Sequence, residues 1–384
     1  MKRILSFTMA LCLLIWLIPL TVLANTKTSG TCGENLTWSL NRETLTICGT
    51  GEMTDYAWGR LAPWNGMTFS KVVFEKGITA IGNYAFYGSD NLASAIIPSS
   101  VQRIGEAAFA WCTGLVTTIP DSVAVLEASA FSGCYSLTEI TIPDSVSQIG
   151  ERVFSACYRL TGISVSAGNE IYSSVNGVLF NKDQTTLICS PEGKSGAYNI
   201  PYGVIAIAPW AFEYNSGLTS VAIPYSVTSV GDNAFSNCTG LTRVIIPNSI
   251  KNIGVDAFIS CDNLMDIFIP DSVNHIGTNA FEQCYNTTIT GCAGSYAETY
   301  AHEKEIPFRI ISSEYDESPG NVNAEDDVDA ADALMVLQAV VGKGILTIEQ
   351  HLAADVNRDG QITAADALLI LQYATQKITV FPAA

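Results

Sequence analysis

Apolar positions recur along the middle of the chain with a period much longer than that of a helix or a strand. Phe86, Phe109, Phe131, Phe154, Phe212, Phe235, Phe258 and Phe281 are separated by 23, 22, 23, 58, 23, 23 and 23 residues, and seven of the eight follow alanine. One unit reads LTEITIPDSVSQIGERVFSAC, Leu137 to Cys157. Its L-x-x-I-x-I opening directs Leu137, Ile140 and Ile142 inward, the last two at the two-residue spacing of a strand. Proline (Pro143 here) ends the strand because it brings no N–H to the ladder. A V-x-x-I-G step then turns the chain, and Gly105, Gly150, Gly231, Gly254 and Gly277 are expected there to supply a positive φ. The A-F-x-x-C segment is expected to return as a short helical turn that buries Ala, Phe and Cys over the strands. No unit buries its inner face alone, so the units must stack into a solenoid with a continuous core.

Two departures interrupt the period. The 58-residue gap is one period plus an insertion at about 168–200, whose alternation and Asn176-Gly177 pair predict a β-hairpin. The unit containing LVTTIP, from Leu115, is one residue short and should pinch a strand. Solenoid ends need caps. Residues 25–71 read as an N-terminal β cap in which Trp38 and Leu45 cover the first coil. Tyr56, Trp58 and Trp64 either seal that end or form a sugar platform. Residues about 294–311 read as a helix and a last strand closing the array, so the solenoid spans 72–311. From Val72 to Phe308 these spaced positions resemble the bacterial surface-antigen, BspA-like, class of leucine-rich repeats. The resemblance implies an α/β leucine-rich-repeat solenoid of short parallel strands joined by helical turns.

Beyond a linker at 312–319 the pattern changes. DVNRDGQITAAD, Asp355 to Asp366, places oxygen-bearing residues where a twelve-residue calcium loop takes its ligands: Asp355, Asn357, Asp359, Gln361 through its carbonyl, Thr363 and Asp366, with Gly360 at the sharp bend. NVNAEDDVDAAD, Asn321 to Asp332, aligns with it place for place, as Asn321, Asn323, Glu325, Asp327, Asp329 and Asp332. This first loop is expected to be the looser site, because Asn321 replaces an aspartate and Asp326 stands where glycine is wanted. Each loop runs into an apolar helix, ADALMVLQAVV or ADALLILQYAT; SSEYDESPG before the first loop is no helix, so both are expected to be loop–helix units lacking an entering helix. Two such loop–helix units resemble a type I dockerin, a small all-α calcium-binding module, over Gly320 to about Lys377, with the domain taken as 320–384. That resemblance implies two Ca2+ sites, the one at 355–366 stronger, and a cohesin module of a cellulosome scaffoldin as partner. It also implies that Ala330, Ala331, Leu334 and Leu337, with Ala364, Ala365, Leu368 and Leu371, face the cohesin. The near-identity of the copies implies two docking orientations.

Charge agrees with a cation site at the tail. The chain carries 19 basic and 37 acidic residues, a net charge of −18, and Glu314 onward holds twelve Asp/Glu against three Lys/Arg. This balance disfavours nucleic acid as a partner. Residues 1–24 read as a signal peptide cleaved before Asn25, so no membrane insertion is expected after cleavage and the mature protein is expected to be extracellular. Of the ten cysteines beyond it, Cys112, Cys134, Cys157, Cys238, Cys261 and Cys284 occupy one repeat position and read as small buried hydrophobes. Cys32 and Cys48 either bridge or stay free, and Cys189 and Cys292 are unassigned.

The outward residues of the strands form the surface open to a ligand. One column runs Ile96, Thr141, Ser164, Ala222, Ile245 and Phe268; its neighbour runs Ser94, Thr117, Glu139, Gly162, Ser220, Arg243 and Asp266. Arg243, Ile245, Met265, Asp266 and Phe268 make the candidate ligand face, an apolar centre with charged flanks suited to a protein or glycan; the alternative is that Ile245 and Phe268 serve strand pairing. No catalytic motif is present: the three histidines lie outside any H-E-x-x-H, and no G-x-S-x-G or P-loop occurs. The favoured function is therefore non-catalytic binding, displayed on a scaffold. The alternative is a carbohydrate-active, glycoside-hydrolase-type component, for which two carboxylates would suffice.

Overall fold

The computed structural model describes residues 28–224, 226–311, 319–325, 327–341, 343–344, 346, 348–357 and 362–382. The expected leader and most of the expected linker lie outside the described residues.

Each coil has three sides. The first side is a strand of the L-x-x-I-x-I segment; in the second half these form a six-stranded parallel sheet from Gly196–Asn199 to Phe308–Ile310. The second side is a two-residue strand of the V-x-x-I step, such as Arg103–Ile104 or Asn252–Ile253. The third side is a run of turns, each closed over three residues and so tighter than an α-helix. There alternate N–H groups divide the work. Ala107, Phe109 and Trp111 donate to Ala128 O, Ala130 O and Ser132 O of the next coil at 2.9, 2.9 and 2.7 Å, while Ala108, Ala110 and Cys112 donate three residues back.

This alternation sets two left-handed residues per coil, two places after the turn glycine and two places after the ladder phenylalanine: Ala107 (φ 49°) and Trp111 (φ 63°), then Ser129 (φ 56°) and Gly133 (φ 73°). The five glycines expected at positive φ are not among the positive-φ residues. They are small for another reason. A Cβ on Gly231 would lie 2.5 Å from Pro209 N, and one on Gly254 2.5 Å from Asp232 N, so glycine lets one coil rest on the backbone of the one before.

Inside, the phenylalanines stack nearly parallel. Centroids are 5.2 Å apart for Phe86–Phe109, 5.5 Å for Phe109–Phe131 and 6.0 Å for Phe131–Phe154, then 4.9, 5.0 and 5.3 Å from Phe212 to Phe281. Trp64 stacks on Phe86 at one end and Tyr300 meets Phe281 edge-on at the other. Trp38, Leu45 and Tyr56 are buried with Trp64, whereas Trp58 is exposed and takes no part in the seal. The cysteine column is a second ladder: Cys112, Cys157, Cys238 and Cys261 donate to the Phe carbonyl of the preceding coil at 3.1, 3.2, 3.0 and 3.1 Å. Burial pushes the Cys112, Cys157 and Cys238 thiols upward, and the hydrogen bond with Cys284, followed by burial, does the same for Cys261, which keeps them unreactive. Cys32 and Cys48 do not bridge; both are free thiols.

The short unit breaks the first-side sheet. Ser94 meets Val116 through one isolated bridge, after which a separate two-stranded sheet begins at Glu139–Ile142. Val116, not Thr117, takes the outward place; Thr117 is buried and donates to Ala95 O at 3.2 Å. The insertion does more than add a hairpin. Tyr172–Val175 and Val178–Asn181 pair antiparallel through a turn with Asn176 and Gly177 at positive φ, and Thr186–Cys189 then starts the second-side sheet of the second half. Val178 and Phe180 pack into the second core and Leu179 into the first, so this one strand divides two hydrophobic cores. Buried Asn169 holds it in place, donating to Pro143 O and Val146 O at 2.8 and 2.9 Å and accepting from the Ile171 and Tyr172 N–H groups.

Candidate functional site

The tail folds as three helices, α2 (Ala330–Val340), α3 (Ile348–Ala354) and α4 (Ala364–Ala374), following the solenoid cap helix α1 (Tyr296–Glu303). α2 and α4 pack together and begin alike. Asp329 caps α2, accepting from Ala331 N at 2.6 Å, and Thr363 caps α4, accepting from Ala365 N at 3.0 Å. In each, the carboxylate at the third helical position answers the cap: Asp332 Oδ2 accepts from Asp329 N at 2.8 Å and Asp366 Oδ2 from Thr363 N at 2.9 Å. These reciprocal pairs satisfy donors that a helix start leaves orphaned. Asp332 Oδ1 also accepts from Val322 N and Asn323 N at 2.7 and 2.9 Å, tying the start of its loop to its end. Both aspartates are fully buried, a location a carboxylate tolerates only with such partners.

The two copies match inside and out. Val322, Ala333 and Val336 enter the small core beside Val356, Ala367 and Ile370. On the other face Leu334 and Leu368 are 54% and 55% exposed, and Leu337 and Leu371 are both 41% exposed. Ala330, Ala331, Ala364 and Ala365 are exposed on the same first turns. The structure therefore gathers all eight nominated docking residues on the outer surface of α2 and α4. The chain end returns to the start of the module, where Phe381 stacks on Tyr373 and abuts Gly320.

Of the nominated ligand positions, Asp359 and Gln361 lie outside the described residues, as do Asp326 and Gly360. Among the described residues no three His, Cys, Asp or Glu side chains are grouped to hold an ion. The described donors nevertheless fit a hard cation, which takes carboxylate, amide and carbonyl oxygens together. Asn321, at the first place of its loop, donates through Nδ2 to Glu325 O, and its Oδ1 is buried with no hydrogen-bond partner. Asn323 Oδ1 accepts from Glu325 N at 2.9 Å, folding the loop over. Asp327 is exposed, and Asp355 and Asn357 follow directly on α3, so the second unit, contrary to the expectation that both lack one, does have an entering helix.

The candidate ligand face on the solenoid is not open. Its outward column is exposed at Ile96, Thr141, Ser164 and Ala222, half-buried at Ile245, and 6% exposed at Phe268. Arg243 Nη1 donates to Leu346 O of the tail module at 3.3 Å, and His351 of α3 lies close enough for Arg243, after burial, to help push its imidazole down to about 4. Asp266 is engaged within the sheet, pairing with Arg309 at 3.0 Å and accepting from Thr290 Oγ1 at 2.8 Å. Met265 alone of the five is largely exposed. Sequence reasoning missed this closure because it depends on where the tail comes to rest.

It also missed a buried acidic group at the insertion. Glu213 Oε2 accepts from Arg152 Nε at 2.9 Å and Ser155 Oγ at 3.0 Å, and Glu192 Oε1 accepts from Ala156 N at 2.5 Å. Burial lifts the Glu192 carboxyl to about 8, the Ala156 N–H and Arg152 opposing and Glu213 reinforcing the rise. Glu192 lies in the insertion and Glu213 at a variable place after the ladder phenylalanine, so no spacing marked them. Among the described residues no helix is long and apolar enough to cross a membrane.

Comparison with known proteins agrees with this architecture. The BspA type leucine rich repeat region matches in six copies over residues 64–182 and 194–304, and the dockerin type I domain matches over residues 319–373. A leucine-rich repeat protein of Eubacterium ventriosum is 26% identical, covering 69% of this chain and 78% of that one, with a TM-score of 0.59. A leucine rich cell surface protein of Faecalibacterium prausnitzii is 25% identical over 72% and 97% of the two chains, with a TM-score of 0.44. No curated protein matches. With the repeat match alone covering well over half its length, the chain belongs to the BspA-type leucine-rich-repeat proteins, and it carries a type I dockerin domain at its tail.

Proposed function

We propose that this is an exported, non-catalytic component of a cellulosome: calcium orders the two tail loops, α2 and α4 dock on a scaffoldin cohesin, and the repeat region displays a ligand-binding surface. Type I dockerins bind calcium and cohesins, and neither domain type is a catalytic kind. The observation that carries the reading is the pairing of the two loop–helix units, with equal exposure of equivalent leucines and equal burial of the two aspartates. In this reading residues 320–384 are the docking domain, residues 72–311 the solenoid behind its 25–71 cap, and both loops hold Ca2+. Asn321 Oδ1 supplies a ready oxygen in the first, and the loop at 355–366 binds more tightly because it has Asp355 where the first has Asn321 and Gly360 where the first has Asp326.

The test is capture of the full chain by an immobilised panel of type I cohesins, with calcium and after chelation. Capture that needs calcium, and is lost when Leu334, Leu337, Leu368 and Leu371 are all changed to Asp, is the expected result. Indifference to chelation, or capture by no cohesin of the panel, would refute it.

A further inference from the structure

The turn side of the solenoid carries a row of aromatic rings that neither the core nor the docking domain uses. Trp111, Tyr135, Tyr158 and Tyr214 come from four consecutive ladder coils, those of Phe109, Phe131, Phe154 and Phe212. Trp111 meets Tyr135 at 6.1 Å, Tyr135 meets Tyr158 at 5.2 Å, and Tyr158 meets Tyr214 at 6.3 Å. The row crosses the insertion that divides the cores. Trp111 and Tyr158 are the exposed members.

Coil stacking does not need these rings. The places equivalent to Trp111 and Tyr214 hold Gly88, Gly133, Asn237 and Ser260 in other coils, and these donate to the next coil's carbonyl just as Trp111 and Tyr214 do. Two of the rings also sit on disfavoured backbone. Trp111 has φ 63° and Tyr214 φ 61°, a region where bulky side chains are strained and where Gly88 and Gly133 stand freely. Backbone strain kept at a surface position points to use of the side chain. Room is made for one ring: a Cβ on Gly133 would lie 2.9 Å from the Trp111 indole, so the glycine lets the indole lie across the next coil. In the coil of Tyr158, Arg152 is about 40% exposed and is held by Glu213, the residue before Tyr214, which leaves a fixed donor on the coils that carry the row.

We propose that this row is a binding strip for a single chain of a neutral polysaccharide. Sugar rings present apolar C–H faces to aromatic rings and hydroxyls to their rim, which is the pairing these rings and the Arg152 guanidinium provide. The interplanar angles of 81°, 36° and 89° along the row rule out a flat platform for crystalline fibre and suit a twisted single chain. Nucleic acid, whose bases also stack on such rows, is disfavoured by the net charge of −18. The strip names the ligand class of the repeat region in the reading above and rests on that part of it alone.

The experiment is affinity electrophoresis of the full chain through native gels containing hydroxyethylcellulose, xyloglucan, arabinoxylan or galactomannan. Retardation in at least one gel is expected, with roughly tenfold weaker affinity in Tyr158→Ala and in Trp111→Gly. Trp111→Gly removes the ring while relieving its backbone, so its loss of binding is not a loss of fold; an unchanged thermal melt verifies this. Tyr285→Ala, exposed but off the row, should bind as the parent does. No retardation in any gel, full affinity in Trp111→Gly, or equal loss in Tyr285→Ala would overturn the strip. Cohesin capture of the same variants reports the docking reading separately and should not change.

Discussion

Turn-side backbone in the solenoid and loop backbone in the tail face the same difficulty, N–H groups taken out of water, and resolve it with different partners. In the coils most such groups reach a carbonyl, of their own turn or of the next coil, a few reach a side-chain oxygen, and the phenylalanine ladder behind them carries no charge. In the tail, Val322, Asn323 and Asp329 reach one buried carboxylate, Asp332. The first arrangement is complete within the protein. The second places anionic oxygens where an acidic segment must also fold, so it is completed by a cation. One chain thus joins a part whose stability is its own to a part whose stability is set by its surroundings.

The largest expected effect separates the two outright. Chelation should abolish the helical signal of the tail, read as loss of amide-exchange protection in α2 and α4, while protection in the solenoid coils stays unchanged. Next, Phe235→Ala removes a ring stacked on both sides and should cost the second half of the solenoid about 3–5 kcal/mol in denaturant unfolding, with calcium affinity unaltered. Third is Glu192. Its folded pKa is raised to about 8, so the folded state holds a proton that the unfolded state releases from about pH 4.5 upward. Solenoid stability should therefore be greatest below about pH 4.5, decline as pH rises, and level off above about pH 8. Glu192→Gln keeps the acceptor for Ala156 N, and should remove that slope and add roughly 2–4 kcal/mol at pH 8, measured by urea unfolding across pH. Fourth, Gly254→Ala should cost about 1–3 kcal/mol by pushing its coil off the Asp232 backbone, although the φ of Gly254 suits alanine. The smallest effect belongs to the paired docking faces. Ala364→Arg with Ala365→Arg should weaken cohesin binding only about twofold, and so should Ala330→Arg with Ala331→Arg, whereas all four together abolish it.

What could be read from the chain was whatever repeats. The phenylalanine spacing announces the stack, and the twelve-place loops announce the module. A glycine at a turn, however, has two physical reasons to be there, and only the neighbouring coil tells them apart: Gly254 is small because Asp232 N is near. The strand Val178–Asn181 was legible as a hairpin arm, but Val-Leu-Phe in sequence does not say that its two faces feed different cores. The aromatic row escaped because its members stand two or four places after their ladder phenylalanine, so no single period contains them. The engagement of Arg243 by Leu346 escaped for want of any local signal, since its partner lies in the tail.

The strand whose alternate residues serve opposite cores carries a consequence for a molecule anchored by its tail and gripping along its flank. Load entering at one end arrives at a seam a single backbone thick, with Leu179 on one side and Val178 and Phe180 on the other. Stacked arrays ordinarily pass damage from neighbour to neighbour. Here the seam should work as a bulkhead: unravelling that starts among the Phe212 to Phe281 coils is expected to pause before it floods the earlier ones, and the aromatic row, which crosses the seam on the outside, is where the parting of the two compartments would first register.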